Sequence, residues 1–239
     1  AFSTALQLDI RSGTAATLLP AMIAPTLAAG GDADVLDDLK AWDQSMAVDR
    51  WEPLVYEAWL REATRAIFAD ELGGAFGEWW GTRHAALHRA LTNEQTLCDD
   101  TGTPGVETCG QTLAAALEAA LDWTAARYGP NRRSWRWGDA HMATFRHPLF
   151  GTIPLLSDLT DVRTPAPGGQ HTVNRGGFRV TDEAAPFEMV FGPAYRAVYD
   201  LSDLDRSLFI VAPGQSGNPL SPHYGDLVDD WREGRYLSL

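Results

Sequence analysis

The sequence predicts an α+β fold, helices first and antiparallel strands after, and three observations carry that prediction. Apolar residues recur at helical spacing from Asp34 through Tyr128. Beyond Pro130 the helix formers thin out, and Gly, Pro, Thr and aromatic residues take their place. The chain has 239 residues, 45% of them apolar, enough to bury a sizeable core. The expected organisation is one segment over 1–239, with 1–130 mainly helical and 131–239 mainly strand and loop.

The elements follow in order. A brief helix is expected around Ala15 to Ala24, in a stretch interrupted by Pro20 and Pro25. Leu36, Leu39 and Trp42 recur at three-residue steps. Leu54, Val55, Ala58, Trp59, Ala63, Ala66 and Ile67 then trace one helical face, so two packed helices are predicted between Asp34 and Ala69. Gly73-Gly74 ends that section, and "AFGEWWGTRHAALHRALT" begins another helix. The clearest helix is Gln111 to Tyr128, with Leu113, Leu117, Ala120, Leu121 and Trp123 on one stripe and Gly129-Pro130 as its stop. "HTVNRGGFRV", "FEMVFGPAYRAVYDL" and "SLFIVAPG" read as extended segments between turns, which favours antiparallel pairing over βαβ crossovers. "RTPAPGGQ", residues 163–170, is the best internal boundary.

Composition excludes several function classes. The formal charge is −13, and Lys40 is the sole lysine beside eighteen arginines, with no basic cluster of the kind phosphates demand. Nucleic acid is therefore not an expected partner, nor is a membrane surface. No apolar run approaches the roughly 20 residues of a bilayer span, and "LLPAMIAPTLAA" is short and broken by proline. A soluble protein is expected. Cys98 and Cys109 bracket a turn-rich loop that closes easily; a disulfide there fits an oxidising compartment, and two thiols in a reduced cytosol are the alternative. "AFSTALQLDI" does not read as a signal peptide, so an exported protein would carry its targeting segment upstream.

Several motifs carry candidate chemistry. Ser216, Ser221, His223 and Asp226 fall within eleven residues, but Gly214-Gln215-Ser216-Gly217-Asn218 lacks the second glycine of G-x-S-x-G. Triads are built from distant elements, so a turn leading into a short terminal helix is the better reading. His84 and His88 stand four apart, as metal-sharing imidazoles do, without the glutamate of H-E-x-x-H; a surface or half-buried pair is expected. Trp135, Trp137, Asp139, His141, Phe145 and His147 would line an aromatic pocket or form a wedge joining helices to sheet. Asp99, Asp100 and Glu107 offer oxygen ligands without the D-x-D-x-D-G spacing of a calcium loop, and read as a solvated loop. Nothing resembles a P-loop or a G-x-G-x-x-G fingerprint, so no cofactor and no metal are expected.

The ordered phrases "LDDLKAWD", "LVYEAWL", "SWRWGDAH…FRHP", "HTVN", "GPAYRAVYDL" and "GQSGNPLSPHYGDLVDDWREGRY" resemble the C-terminal part of the penicillin acylase family, from about residue 5 to the end. The resemblance implies the four-layer αββα fold of the N-terminal nucleophile hydrolases. It also implies a bacterial precursor, periplasmic or secreted, that cuts itself into α and β chains. The new N-terminal serine of the β chain attacks the amide with its own α-amino group as base, and backbone N–H groups with an asparagine form the oxyanion hole. The family's nucleophile, oxyanion asparagine and calcium ligands belong to earlier portions, so no catalytic residue is assigned here. Ser3 would qualify only after trimming, and neither Asn174 nor Asn218 lies in the motif that carries the family's oxyanion asparagine. The implied partners are the remaining α and β segments, or a second copy through exposed faces. The implied substrate is a small N-acyl compound such as a β-lactam side-chain amide or an acyl-homoserine lactone. A domain that only binds acyl or aromatic ligands on Trp135, Trp137 and Phe145 is the alternative.

Overall fold

The computed structural model describes residues 2–81 and 83–239; Ala1, the first of the residues ahead of Ser3, and Thr82, inside the helix expected over 75–92, lie outside the described residues. In chain order the elements are α1 (Phe2–Gln7), α2 (Gly13–Ala28), α3 (Ala33–Ala41), α4 (Glu52–Leu72), α5 (Phe76–Trp79), α6 (His84–Thr92) and α7 (Cys109–Tyr128). There follow α8 (Trp137–Ala140), β1 (Met142–Phe145), α9 (Leu156–Thr160), β2 (Val162–Pro165), β3 (Tyr195–Val198), β4 (Leu208–Val211), α10 (Val228–Glu233) and β5 (Leu237–Ser238). The α+β expectation holds. The chain divides into two compact units, one formed by 12–137 with 179–186, the other by 1–11, 138–178 and 187–239. Residues 163–170 lie inside the second of these, because β2 is paired along its length with β1.

The helical unit is organised around α4, whose buried residues run round its circumference, as they must in a helix enclosed by neighbours. Trp59, fully buried, donates its indole N–H to the Leu113 carbonyl of α7 at 2.9 Å. Helix α2 is longer than expected. Ser12 caps it by accepting from Ala15 N at 3.2 Å, and Pro20 and Pro25 are tolerated inside it because Leu18, Leu19, Met22 and Ile23 bury one face. Helix α7 begins at Cys109 under a reciprocal capping box between Thr108 and Gln111. Gly110 sits where α7 meets α2, and a Cβ there would stand 2.5 Å from the Pro25 carbonyl oxygen. The single helix expected over 75–92 is two, α5 and α6; between them Trp80 is extended, at ψ 133°. A disulfide joins Cys98 to Cys109, with Cα atoms 4.9 Å apart.

The second unit is built on two small antiparallel sheets. In one, β1 pairs with β2, from Met142↔Pro165 to Phe145↔Val162. In the other, β4 lies between β3 and β5, with Arg196↔Ile210 and Phe209↔Leu237 in register. Ala143, Ala166, Ile210, Ala212 and Trp231 form its core, with Phe145, Met189, Leu227 and Tyr236 packed round them. "HTVNRGGFRV" contributes the isolated bridges Gly169↔Arg175 and Gly177↔Phe191 instead of a strand, with Gly176 leaving room for the His141 ring, which a Cβ there would meet. Among the described residues no helix is long and apolar enough to cross a membrane.

Candidate functional site

The strip from Ser216 to Asp226 folds as a turn that closes on itself. Ser216 N donates to the His223 carbonyl at 3.0 Å, while Ser216 Oγ accepts from Asn218 N at 3.1 Å. Ser221 Oγ accepts from the backbone N of His223 at 3.2 Å. The His223 ring meets Asp226 Oδ2 at 2.9 Å through Nδ1, with its side chain 68% exposed. A base is thus oriented by an acid, but among the described residues no serine hydroxyl is hydrogen-bonded to that base, so no triad is assembled. Asn218 Oδ1 accepts from Leu220 N at 3.1 Å and is used within the same turn.

The aromatic block 135–147 is interior packing. Trp135 and Trp137 are buried in the helical unit, where Trp135 donates its indole N–H to the Gly129 carbonyl at 2.6 Å. In the second unit Phe145 stands edge-on to Trp231 at 5.5 Å, and Asp139 is exposed. Trp135 and Trp137 are therefore closed to the ligand that the alternative reading of a binding platform required of them, because burial is where such rings gain most. His141 is fully buried beside Phe187, whose carbonyl takes its Nδ1–H at 2.7 Å; burial pulls its pKa down to about 4, so the ring is neutral. His147 Nδ1 accepts from the backbone N of Leu149 and Phe150, shaping a turn.

The remaining candidates also serve structure. His84 opens α6 buried, and His88 is half-buried one turn on. Asp99 Oδ1 accepts from Glu107 N, Asp100 Oδ1 from Gly102 N, and Glu107 Oε2 from Asp100 N, so the three carboxylates brace the disulfide loop. Among the described residues no group of three His, Cys, Asp or Glu side chains is arranged to hold a metal ion. Ser3 sits exposed within α1, its nitrogen engaged in a peptide bond.

Two ionisable groups, Arg196 and Glu57, escaped the sequence reading. Arg196 is buried on β3, where Nη1 donates to the Trp231 carbonyl at 2.6 Å and Nη2 to Asn174 Oδ1 at 2.8 Å, with the Trp231 ring 4.9 Å away. Asn174 is thereby a structural acceptor, its backbone N bonded to the Asp9 carbonyl. Glu57 is buried in α4 with no hydrogen-bond partner for Oε2 among the described residues, and burial pushes its pKa up to about 8, so it is protonated at neutral pH. An acid inside "LVYEAWL" was the one signal available. Arg196 alternates with apolar neighbours in "AYRAVY", which hides it.

What these elements position is packing, clasps and turns, with no serine hydroxyl hydrogen-bonded to a histidine ring among the described residues. A family model described as penicillin amidase matches residues 2–239. The chain belongs to the penicillin amidase family. Among relatives, it is 31% identical over 229 residues to the acyl-homoserine lactone acylase QuiP of Pseudomonas aeruginosa, covering 86% of this chain and 26% of that protein. It is 29% identical over 212 residues to penicillin acylase 2 proenzyme of Pseudomonas sp. strain SE83, covering 82% and 25%. The thermostable penicillin G acylase of Alcaligenes faecalis superposes with a TM-score of 0.56 at 16% identity, over 97% of this chain and 44% of that one. That likeness shows the fold. This penicillin amidase family chain spans about a quarter of the length of the curated relatives it matches.

Proposed function

We propose that these residues are the C-terminal part of a secreted or periplasmic amidase that hydrolyses the amide bond of an N-acyl substrate, either a β-lactam side chain, an acyl-homoserine lactone or a related compound. The observation that carries the reading is the family match over residues 2–239 in a chain among whose described residues no serine hydroxyl is hydrogen-bonded to a histidine ring. The nucleophile is then an N-terminal serine outside these residues, its α-amino group the base. A preorganised oxyanion hole, also outside them, stabilises the charge that develops on the carbonyl oxygen. The part played by the described residues is to hold a rigid layer against which that centre is positioned. The disulfide supports an oxidising compartment.

The test is hydrolysis of a chromogenic phenylacetyl amide and of a long-chain acyl amide, run in parallel on the 239 residues and on the full-length product of the gene. Turnover by the full-length product alone is expected. Turnover by the 239 residues would move the active site into this chain, and silence of both would remove the amidase reading for these acyl groups.

A further inference from the structure

Helices α2 and α3 are joined by the turn at Gly30-Gly31, and Ser12, the cap of α2, donates its backbone N–H to the Gln44 carbonyl at 3.0 Å. The two helices therefore run antiparallel, with the end of α3 beside the start of α2. Between them lies a groove of about 380 Å³. That volume falls within the roughly 300–1,000 Å³ of clefts that take small molecules. Leu19, Ile23 and Leu39 are buried along it, and Pro20 and Leu27 line it as exposed residues. On α2 the lining reaches from Ala16 to Leu27, about 17 Å of helix.

Two charged side chains stand at this apolar groove, Asp37 and Lys40, both exposed on α3. Lys40 is the sole lysine of a chain whose formal charge is −13, and no ion pair to it forms among the described residues. Its place in the last turn of α3 suits the helix dipole, but the dipole does not require a cation beside an apolar groove. Asp37 precedes Lys40 by three residues, about 4.5 Å along the axis. Because the helices are antiparallel, Lys40 marks the Ala16 end of the groove and Asp37 lies nearer its middle. An anionic head is thus attracted at one end and repelled further in, which fixes the direction of any ligand that carries one.

An apolar body with a single anionic end matches both the lining and the placement of charge. We propose that the α2–α3 groove binds a free medium-chain carboxylic acid, its carboxylate at Lys40 Nζ and its tail along Leu19, Ile23 and Leu27. This goes beyond the proposed amide hydrolysis and does not depend on it, since every residue it uses lies between Ser12 and Gln44.

The experiment is amine labelling of Lys40 in the full-length product of the gene, read by mass spectrometry on the peptide that carries it, with dodecanoate below its micelle concentration as ligand. Labelling of Lys40 is expected to fall by about tenfold when dodecanoate stands at about ten times its half-protection concentration, as mass action at one site requires. The other amines of the protein should keep their rates. Dodecyltrimethylammonium, which has the tail and the opposite charge, and butyrate, which has the head without the tail, should not protect. Ala16→Trp fills the groove from an exposed position and should abolish protection; if it does not accumulate, Ala24→Phe does the same further along α2. Asp37→Asn should lower the half-protection concentration. Absence of protection by dodecanoate overturns the proposal, as do equal slowing at every amine, protection by the cation and protection that survives the filled groove. A Lys40 that is unreactive before ligand is added overturns it too, because the groove would then be closed by other parts of the protein.

Discussion

Arg196 and Asn174 hold each other in the interior of the second unit, Nη2 donating to Oδ1 at 2.8 Å, and no ion pair to Arg196 forms among the described residues. A buried guanidinium satisfied by a carbonyl and an amide instead of a carboxylate links the β3 strand, the terminal helix α10 and the loop at Asn174. Arg196→Met strands the Asn174 and Trp231 acceptors, and the expected loss is on the order of 3 kcal/mol in denaturant unfolding. Asn174→Asp, which supplies the missing countercharge, is expected to cost less than Asn174→Ala. A reversed order would show that the amide contributes through its N–H groups.

Glu57 sets a pH dependence. Its carboxyl titrates near 4.5 ordinarily and at about 8 in the fold, so between those values the folded chain holds a proton that the unfolded chain has released. The stabilisation is complete below the unfolded pKa and is lost as pH rises through the folded one, at about 1.4 kcal/mol per pH unit at the steepest. Glu57→Gln is expected to flatten that loss between pH 5 and 8, measured as chemical-unfolding stability against pH.

His141 works in the opposite sense. Its folded pKa is held down to about 4, so its contribution is present above the ordinary value of 6.5 and disappears as pH falls through 4. Thermal unfolding of His141→Asn should show a weaker fall in stability from pH 6.5 to 4 than the parent chain.

The disulfide closes a loop with a separation of 11 residues. The chain-entropy account gives about 3 kcal/mol for a loop of that size, so Cys98→Ser with Cys109→Ser should lower stability by roughly that amount. Fluorescence-monitored urea unfolding measures it, and an unchanged midpoint would show that the braced carboxylates hold the loop unaided.

Gly110→Ala tests the approach of α7 to α2. The obstacle is the Pro25 carbonyl, a backbone atom that cannot swing aside, so a destabilisation of about 1–3 kcal/mol is expected in the same assay. Ser216→Ala and His223→Ala, by contrast, are expected to leave turnover of the full-length product unchanged.

The strip 216–226 and the block 135–147 show where reading a sequence reaches its limit. The missing glycine in "GQSGN" was legible and correctly counted against a nucleophile elbow. Trp135 and Trp137 were legible as aromatic, but whether an indole faces a cleft or a core depends on residues far away in sequence. Glu57 and Arg196 were harder: an acid within an apolar helical run and an arginine within a strand look like surface positions until neighbours from other elements close over them.

The sequence by itself determined the helices α2, α3, α4 and α7, the change of texture after Pro130 and the family, because helical periodicity, capping residues and ordered motifs are local properties of the chain. Only the tertiary structure decided that Cys98 and Cys109 join, that the histidines and acids brace loops, that Arg196 is buried and that α2 and α3 leave an apolar groove between them. Burial and exposure are properties of which distant surfaces meet, and no stretch of sequence contains both partners.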